Sequence, residues 1–206
     1  NKKVVAILTL MNQPLGREIG NINEVQEAVS LLKNEVYDWD LMEVSLEVAA
    51  QMAKMNTRFK NKEIKEIKEH LLLNIKNGRA YEKFCEFIKI QDGNLESIFK
   101  NKNLNKYVIK SNQSGIVESI QTEELGYIAS QLGAGRITKE DKIDHHAGLT
   151  LHVKVGQQVN KGQVLIVGRT SKNYSLEIEQ RLQKAFKITN KQLNENRQPI
   201  ILDIIT

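Results

Sequence analysis

A short apolar run near the start of the chain constrains the fold most. Residues 4–10, with the sequence VVAILTL, carry no charge and are rich in β-branched side chains. A polar segment with one proline and two glycines, residues 11–21, follows directly. This pattern predicts a strand that is buried on both faces, as in parallel sheets covered by helices. Because such a strand needs neighbours, we expect the chain to be part of a larger polypeptide.

Helical patterns fill the rest of the first half. Capping residues and apolar side chains at helical spacing predict four helices. Their expected ranges are Ile22 to Lys33, Trp39 to Met55, Lys62 to Lys76 and Arg79 to Ile90. Asn21 and Glu24 are expected to form a capping box before the first helix. The expected buried face of the second helix consists of Leu41, Val44, Val48 and Met52.

The second half is richer in glycine and in short β-branched runs. Eight of the 12 glycines fall in residues 107–206. Strands are predicted at 107–110, 115–120, 150–155, 163–167 and 200–205. Helices are predicted from Thr122 to Leu132, with Thr122 as the cap, and from Tyr174 to Phe186. The composition changes at the polar stretch 101–106, so we predict one domain at 1–106 and an antiparallel α+β domain at 107–206.

The distribution of charged and apolar residues argues against a nucleic-acid-binding, membrane-spanning or secreted protein. The formal charge is +5, but basic and acidic side chains are interspersed in both halves, which is unlike a nucleic-acid-binding module. No stretch has the ~20 apolar residues of a membrane span, and the start of the chain lacks a secretory signal pattern. Cys85 is the single cysteine and is expected to pack as a small hydrophobe. We therefore predict a cytoplasmic protein with neither nucleic acid nor membrane as a partner.

Four segments occur in an order that points to one family. They are Met11–Asn21, Ser114–Val117, Leu132–Arg136, and the stretch from Gly148-Leu149 through Lys154–Leu165. Together they resemble the C-terminal half of the pyrimidine-nucleoside and thymidine phosphorylases. The resemblance implies an α+β chain: residues 1–106 are a strand-plus-helices remnant of the α/β phosphorylase domain, and residues 107–206 are a C-terminal α/β-hammerhead, or barrel-sandwich-like, domain.

The resemblance also implies a reaction. Phosphate attacks the anomeric carbon of a pyrimidine (deoxy)ribonucleoside and releases uracil or thymine with a pentose 1-phosphate. In the family, the glycine-rich phosphate loop and the groups over the pyrimidine lie upstream of the segment that this chain matches. We therefore expect no catalytic residue and no organic cofactor here, an inactive fragment, and a full-length homodimer that associates through the N-terminal region.

A potassium site is the one functional element that the resemblance places in this chain. It assigns the backbone carbonyls of Leu15 and Glu18 and the carboxylate of Glu27 as ligands. An all-oxygen donor set suits a hard cation. The alternative is that Leu15 and Glu18 only shape a turn while Glu27 is a solvated helix residue.

Other candidate residues favour structural roles. Arg136 follows a helix C-terminus, which repels anions, so we expect a helix stop and a salt-bridged arginine. His145 and His146 are neighbours in an extended segment and point to opposite faces, with no third ligand at metal-site spacing. Both are expected to be packing or surface histidines.

Two other classes of protein stay open. The Gly-x-x-Val-x-x-Gly pattern at Gly156–Gly162 resembles biotinyl and lipoyl carrier domains. The lysine-bearing tripeptides typical of those carriers, Met-Lys-Met and Asp-Lys-Ala, do not occur in this sequence. A pure interaction fragment without catalysis is the other alternative.

Overall fold

The computed structural model describes residues 2–35, 38–99, 103–173, 175–191 and 198–205, with backbone only at 97 and 98. The chain divides into two compact units that are not continuous in sequence. The first unit comprises Asn1–Leu10, Glu27–Phe99 and Gln198–Thr206, and the second comprises Met11–Gln26 and Lys100–Arg197. This division differs from the predicted ranges 1–106 and 107–206. Met11–Gln26 joins the second unit, where residues 18–20 pair with residues 148–150, and Gln198–Thr206 joins the first unit, where residues 201–205 pair with residues 6–9.

Helices make up most of the first unit. Four of them match the predicted ranges to within two residues, and a short fifth was not predicted. They are α1 (Ile22–Leu32), which begins in the second unit, α2 (Trp39–Met55), α3 (Ile64–Lys76), α4 (Arg79–Ile90) and α5 (Leu95–Ile98). Asp38 caps α2 by accepting a hydrogen bond from the Leu41 amide. Gly78 has φ of 82° and lies between α3 and α4, as expected of a left-handed helix stop.

The apolar run at the start of the chain forms an exposed ribbon. Strand β1 (Ala6–Thr9) pairs antiparallel with the last strand, β9 (Ile201–Ile205). Val4 is 73% exposed and Leu8 is 43% exposed. The prediction of burial on both faces is therefore wrong for this chain. The reason is that β9 is the only ladder partner of β1 within the residues that the structure describes.

The buried face of α2 also differs from the prediction. Met42, Glu47 and Ala50 are buried, whereas Val48 and Met52 are exposed. Apolar side chains surround much of this helix, so spacing alone does not select the side that packs. Contact with α3 selects it instead.

Two antiparallel sheets form the second unit. The first has the order β2-β5-β7-β3 and the second the order β6-β4-β8. The strands of the first sheet are β2 (Glu18–Gly20), β3 (Asn105–Lys110), β5 (Gly148–Leu151) and β7 (Val164–Thr170). Those of the second are β4 (Gly115–Ile120), β6 (Gln158–Val159) and β8 (Phe186–Thr189). Strands β2, β6 and β8 were not predicted.

Two helices complete the second unit. Helix α6 (Thr122–Ala129) continues into a π-helical turn (Ser130–Ala134) that ends where Gly133 adopts φ of 118°. Gln121, not Thr122, occupies the N-cap position. Helix α7 (Leu176–Lys184) is capped by Ser175, and the predicted start at Tyr174 lies outside the described residues.

One hydrophobic core lies in the second unit. It contains 17 buried side chains from both sheets, α6 and α7, among them Tyr107, Leu125, Leu149 and Leu165. Tyr107 is 1% exposed, and its hydroxyl accepts a hydrogen bond from the Ser175 amide, so the polar end of this buried ring is satisfied. The linker predicted at 101–106 includes residues 101 and 102, which lie outside the described part, and its end at 105–106 begins β3.

In the described parts of the chain, no helix combines the length and the apolar character that crossing a membrane requires.

Candidate functional site

The segment Gln13–Glu18, here called the carbonyl loop, is bound near both of its ends by the stretch Leu151–Val155. The Leu151 amide donates to the Arg17 carbonyl oxygen at 2.7 Å, and the Val155 amide donates to Gln13 Oε1 at 2.8 Å. Both segments belong to the second unit. The carbonyl loop is thus fixed to the second unit at both of its ends.

A buried lysine binds the middle of this loop. Lys154 is 7% exposed, and its Nζ donates to the Pro14 carbonyl oxygen at 2.6 Å and to the Leu15 carbonyl oxygen at 2.8 Å. Charged lysine is rarely buried without such partners. The Leu15 carbonyl, predicted as a potassium ligand, therefore already has a positively charged partner.

Glu18, the second predicted ligand, lies in β2 opposite Thr150. Because the Arg17 oxygen accepts from the Leu151 amide, the antiparallel alternation places Glu18 at a non-hydrogen-bonded position, so its backbone groups point away from β5. Strand β2 is the edge of its sheet, so the Glu18 carbonyl points out of the sheet. This direction is compatible with the predicted use of the carbonyl.

The Glu18 side chain makes hydrogen bonds within the second unit. Its Oε2 accepts from Thr150 Oγ1 at 2.6 Å and from Asn23 Nδ2 at 3.0 Å. Thr150 Oγ1 in turn accepts from Arg169 Nη1 at 2.6 Å. These contacts connect β2, β5, β7 and the start of α1, and they use the carboxylate to position the strand.

Asn23 fixes the end of the segment. Its Nδ2 also lies 3.2 Å from the carbonyl oxygens of Ile19 and Leu149, so one amide group contacts both strands. A Cβ added at Gly20 would lie 2.4 Å from Asn23 Oδ1, and one at Gly148 would lie 2.5 Å from the Ile19 carbonyl oxygen. Paired glycines therefore make room for the asparagine side chain.

The helix cap after this segment differs by one residue from the predicted capping box. Glu24 Oε1 accepts from the Gly20 amide at 2.8 Å rather than from the Asn21 amide. Asn21 instead donates its Nδ2 to the Ala134 carbonyl oxygen at 2.7 Å, a contact across 113 residues of sequence. The Asn21 side chain therefore stabilises the π-helical turn that follows α6.

Glu27, the third predicted ligand, lies on α1 and is half-buried. It falls in the first unit, whereas Leu15 and Glu18 fall in the second. The structure thus brings Leu15 and Glu18 together on one loop, and the potassium assignment of all three residues stays a prediction.

The remaining candidates are Arg136, His145 and His146. Arg136 is exposed and has no ion pair in the described part of the chain, so the expected salt bridge is not observed. The His145 carbonyl accepts from the Ile22 amide, and the His146 amide donates to Asp144. No cluster of three histidine, cysteine or carboxylate side chains suited to a metal ion is present within the described ranges.

The carrier-like pattern forms a strand between two turns. Gly156 and Gly162 have φ of 86° and 85°, a conformation that only glycine adopts easily, and β6 lies between them. The glycine spacing therefore follows from the turns of a small β-domain. It does not by itself indicate a carrier lysine.

Sequence reasoning missed Lys154, Thr150, Arg169 and Asn23. Lys154 lies between Val153 and Val155 in the predicted strand 150–155, and the strand prediction assigns no role to its side chain. Its burial depends on a loop 140 residues away in sequence. A single lysine between two valines does not show, from the sequence alone, whether its side chain is buried or exposed.

Comparisons with known proteins bear on the same residues. Residues 116–189 match the family model described as the pyrimidine nucleoside phosphorylase C-terminal domain. A pyrimidine-nucleoside phosphorylase of Bacillus subtilis (strain 168) is 37% identical over 169 residues, which cover 80% of this chain and 38% of that protein. One from Staphylococcus aureus (strain USA300) is 35% identical over 193 residues, which cover 92% of this chain and 44% of that protein.

The chain belongs to the pyrimidine-nucleoside phosphorylase family. It spans less than half the length of these two phosphorylases. The residues matched by the C-terminal domain model all lie in the second unit, from β4 to β8. The second unit therefore contains all the residues that match the C-terminal domain model.

Proposed function

We propose that this chain supplies the C-terminal part of an enzyme that phosphorolyses pyrimidine nucleosides. In that reaction a phosphate oxygen forms a bond to C1′ of the sugar while the bond from C1′ to the base nitrogen breaks. The bonding electrons leave with the base, which is then protonated, and a pentose 1-phosphate remains. The observation that carries the proposal is the 35% identity to a pyrimidine-nucleoside phosphorylase over 92% of the chain.

The chain's own contribution is positional. Two sets of polar contacts stand out in the chain. Lys154 bonds the backbone carbonyls of the carbonyl loop, and the Glu18 carboxylate, Thr150 and Arg169 are linked by hydrogen bonds. Such groups position a backbone segment and are not poised as a nucleophile or a general base. We propose that the reacting groups belong to the rest of the polypeptide and that the isolated chain is inactive.

The partners and setting follow from the same proposal. Pyrimidine nucleoside and phosphate are the substrates, the whole enzyme is a homodimer, and nucleoside salvage takes place in the cytoplasm. Potassium at Leu15, Glu18 and Glu27 stays a prediction outside this proposal, and no step of the reaction depends on it.

A chimeric enzyme tests the proposal. The segment of the Staphylococcus aureus phosphorylase that aligns with this chain is replaced by residues 1–206, and phosphate-dependent release of uracil from uridine and thymine from thymidine is measured. We expect base release by the chimera because the replaced segment belongs to the same family. We expect none from the isolated chain, because the proposed reacting groups are absent from it.

The controls separate folding from chemistry. The unaltered Staphylococcus aureus enzyme gives the reference rate, omission of phosphate gives the background, and circular dichroism with size-exclusion chromatography establishes that the chimera is folded. A folded chimera without phosphate-dependent base release would contradict the proposal. Base release by residues 1–206 alone would contradict the assignment of the reacting groups to the rest of the enzyme.

A further inference from the structure

Lys154 occupies an unusual position for an ionised side chain. It is 7% exposed, and its Nζ lies within hydrogen-bond distance of two consecutive backbone carbonyl oxygens, those of Pro14 and Leu15. Two carbonyl dipoles that converge on one positive charge form the kind of cradle that also binds monovalent cations. The ammonium group therefore fills this cradle as a cation that is covalently part of the chain.

The surrounding contacts hold the ammonium group in place. The Lys154 amide donates to Gln157 Oε1 at 2.9 Å, and the neighbouring Val155 amide donates to Gln13 Oε1 at 2.8 Å. The backbone is thus tied both to the following turn and to the carbonyl loop itself. Because the side-chain stem is also buried, Lys154 loses little further freedom when its Nζ bonds the two carbonyls.

The resemblance assigned one of these carbonyls, that of Leu15, to a metal ion. A metal cation bound to the Leu15 oxygen would lie a few ångströms from the ammonium charge. Like charges at that separation repel, and the repulsion grows as water is excluded. The ammonium group and a metal ion are therefore competitors for the same oxygen.

We propose that Lys154 is a positioning residue that serves as a built-in monovalent cation for the carbonyl loop, and that it takes the place of a metal ion at Leu15. The loop then keeps its conformation in the absence of metal. This inference goes beyond the proposed reaction. Because its test uses neither nucleoside nor turnover, failure of the inference and failure of the proposed reaction can be distinguished.

The test measures thermal unfolding of the full chain in 150 mM choline, potassium or ammonium chloride. In choline chloride we expect Lys154→Met to lower Tm by about 5–10 °C, because two charge-assisted hydrogen bonds are lost and two carbonyls are left unpaired. In potassium or ammonium chloride the variant recovers about 2–3 °C, since a free cation then binds the vacated carbonyls. The unmodified chain shifts by less than about 1 °C between the salts.

Two variants serve as controls. Lys161→Met makes the same chemical change at an exposed lysine of the same unit, and its Tm and salt response should match those of the unmodified chain. Lys154→Arg keeps the charge, so it should unfold above Lys154→Met in choline chloride and show no cation-specific recovery. An unchanged Tm for Lys154→Met, or equal stabilisation of the unmodified chain and this variant by potassium, would overturn the inference.

A measurement on the unmodified chain covers the case in which Lys154→Met does not fold. A buried, hydrogen-bonded ammonium group exchanges its protons slowly, whereas exposed lysine ammonium groups exchange quickly. Lysine-selective ¹H–¹⁵N NMR at neutral pH should therefore show a slowly exchanging ammonium resonance, and Lys161→Met should retain it. Absence of such a resonance from the unmodified chain would show that Lys154 does not hold the carbonyl loop.

Discussion

The two units of this chain differ in how completely they bury their own apolar surface. The second unit has one core of 17 buried side chains that draws on both sheets, α6 and α7. The buried cluster described in the first unit consists of Leu31, Met42 and Ile75. Large apolar side chains of the first unit stay exposed, among them Val4, Trp39, Met52, Phe87 and Ile90. In the second unit, sheets formed from distant segments enclose a large buried core. In the first unit, the stacked helices enclose a smaller one.

A groove in the first unit illustrates the same difference. It has a volume of about 630 Å³ and opens between α1, α2, α3 and α4. Leu31, Leu41, Leu46 and Leu71 are among the side chains that line it. Apolar surface left in contact with water contributes nothing to folding, so the first unit gains less from the hydrophobic effect per residue than the second.

Truncation of matched leucines gives the largest expected contrast. Leu165→Ala removes a fully buried side chain of the second unit and should reduce the free energy of unfolding by about 2–5 kcal/mol, because a cavity remains. Leu73→Ala makes the same change in α3 of the first unit, where the leucine is 54% exposed, and should cost less than about 1 kcal/mol. Urea denaturation followed by circular dichroism measures both. Equal losses would mean that the two units do not differ in packing.

The sequence predicted the elements that depend on local signals. Helices α1 to α4 lie within two residues of their expected ranges, and strand β4 matches its range, because caps, stop residues and spacing are local to each element. Strands β2, β6 and β8 were missed because each is two to four residues long and exists only through pairing with β4 or β5. The family resemblance was confirmed by the comparisons. The potassium assignment of Leu15 and Glu18 stays a prediction, and the position of Lys154 depends on a contact between distant segments that no local pattern contains.

A glycine substitution tests whether the segment Met11–Gln26 is part of the second unit's cooperative structure. Gly20→Ala places a Cβ 2.4 Å from Asn23 Oδ1 and 2.8 Å from the Ala147 carbonyl oxygen, so either the asparagine or the backbone must move. We expect a loss of about 1–3 kcal/mol in the free energy of unfolding, as for other overpacked sites. Thermal and urea unfolding measure it.

Gly126→Ala is the matched control in the same unit. Gly126 lies inside α6, and an added Cβ there meets no atom within 4 Å. This variant should be more stable by about 0.5–1 kcal/mol, because alanine loses less backbone entropy than glycine in a helix. A neutral effect of Gly20→Ala alongside a stabilising Gly126→Ala would show that β2 folds independently of the second unit's core.

The smallest expected effect concerns an ion pair between two helices of the first unit. Glu47 on α2 is 3% exposed and pairs with Lys68 on α3, and it also accepts from Gln51 Nε2 at 2.8 Å. Burial alone would raise the pKa of Glu47, but the hydrogen bonds from Lys68 and Gln51 and the charge of Lys68 outweigh burial and hold the pKa below its usual value. The ion pair therefore favours the folded state at neutral pH.

The sign of the pH dependence follows from that lowered pKa. A carboxylate whose folded pKa is depressed contributes stability that is complete above its unfolded pKa of about 4.5 and is lost as the pH falls through the folded value. Glu47→Gln keeps the shape of the side chain and removes its titration, so its deficit relative to the unmodified chain, up to about 1 kcal/mol at pH 7, should shrink below pH 4. Glu43→Gln, at an exposed position of the same helix, is the control. A deficit for Glu47→Gln that stays constant from pH 7 to pH 3 would mean that packing, rather than charge, joins α2 to α3, and the first unit would then depend on burial as the second unit does.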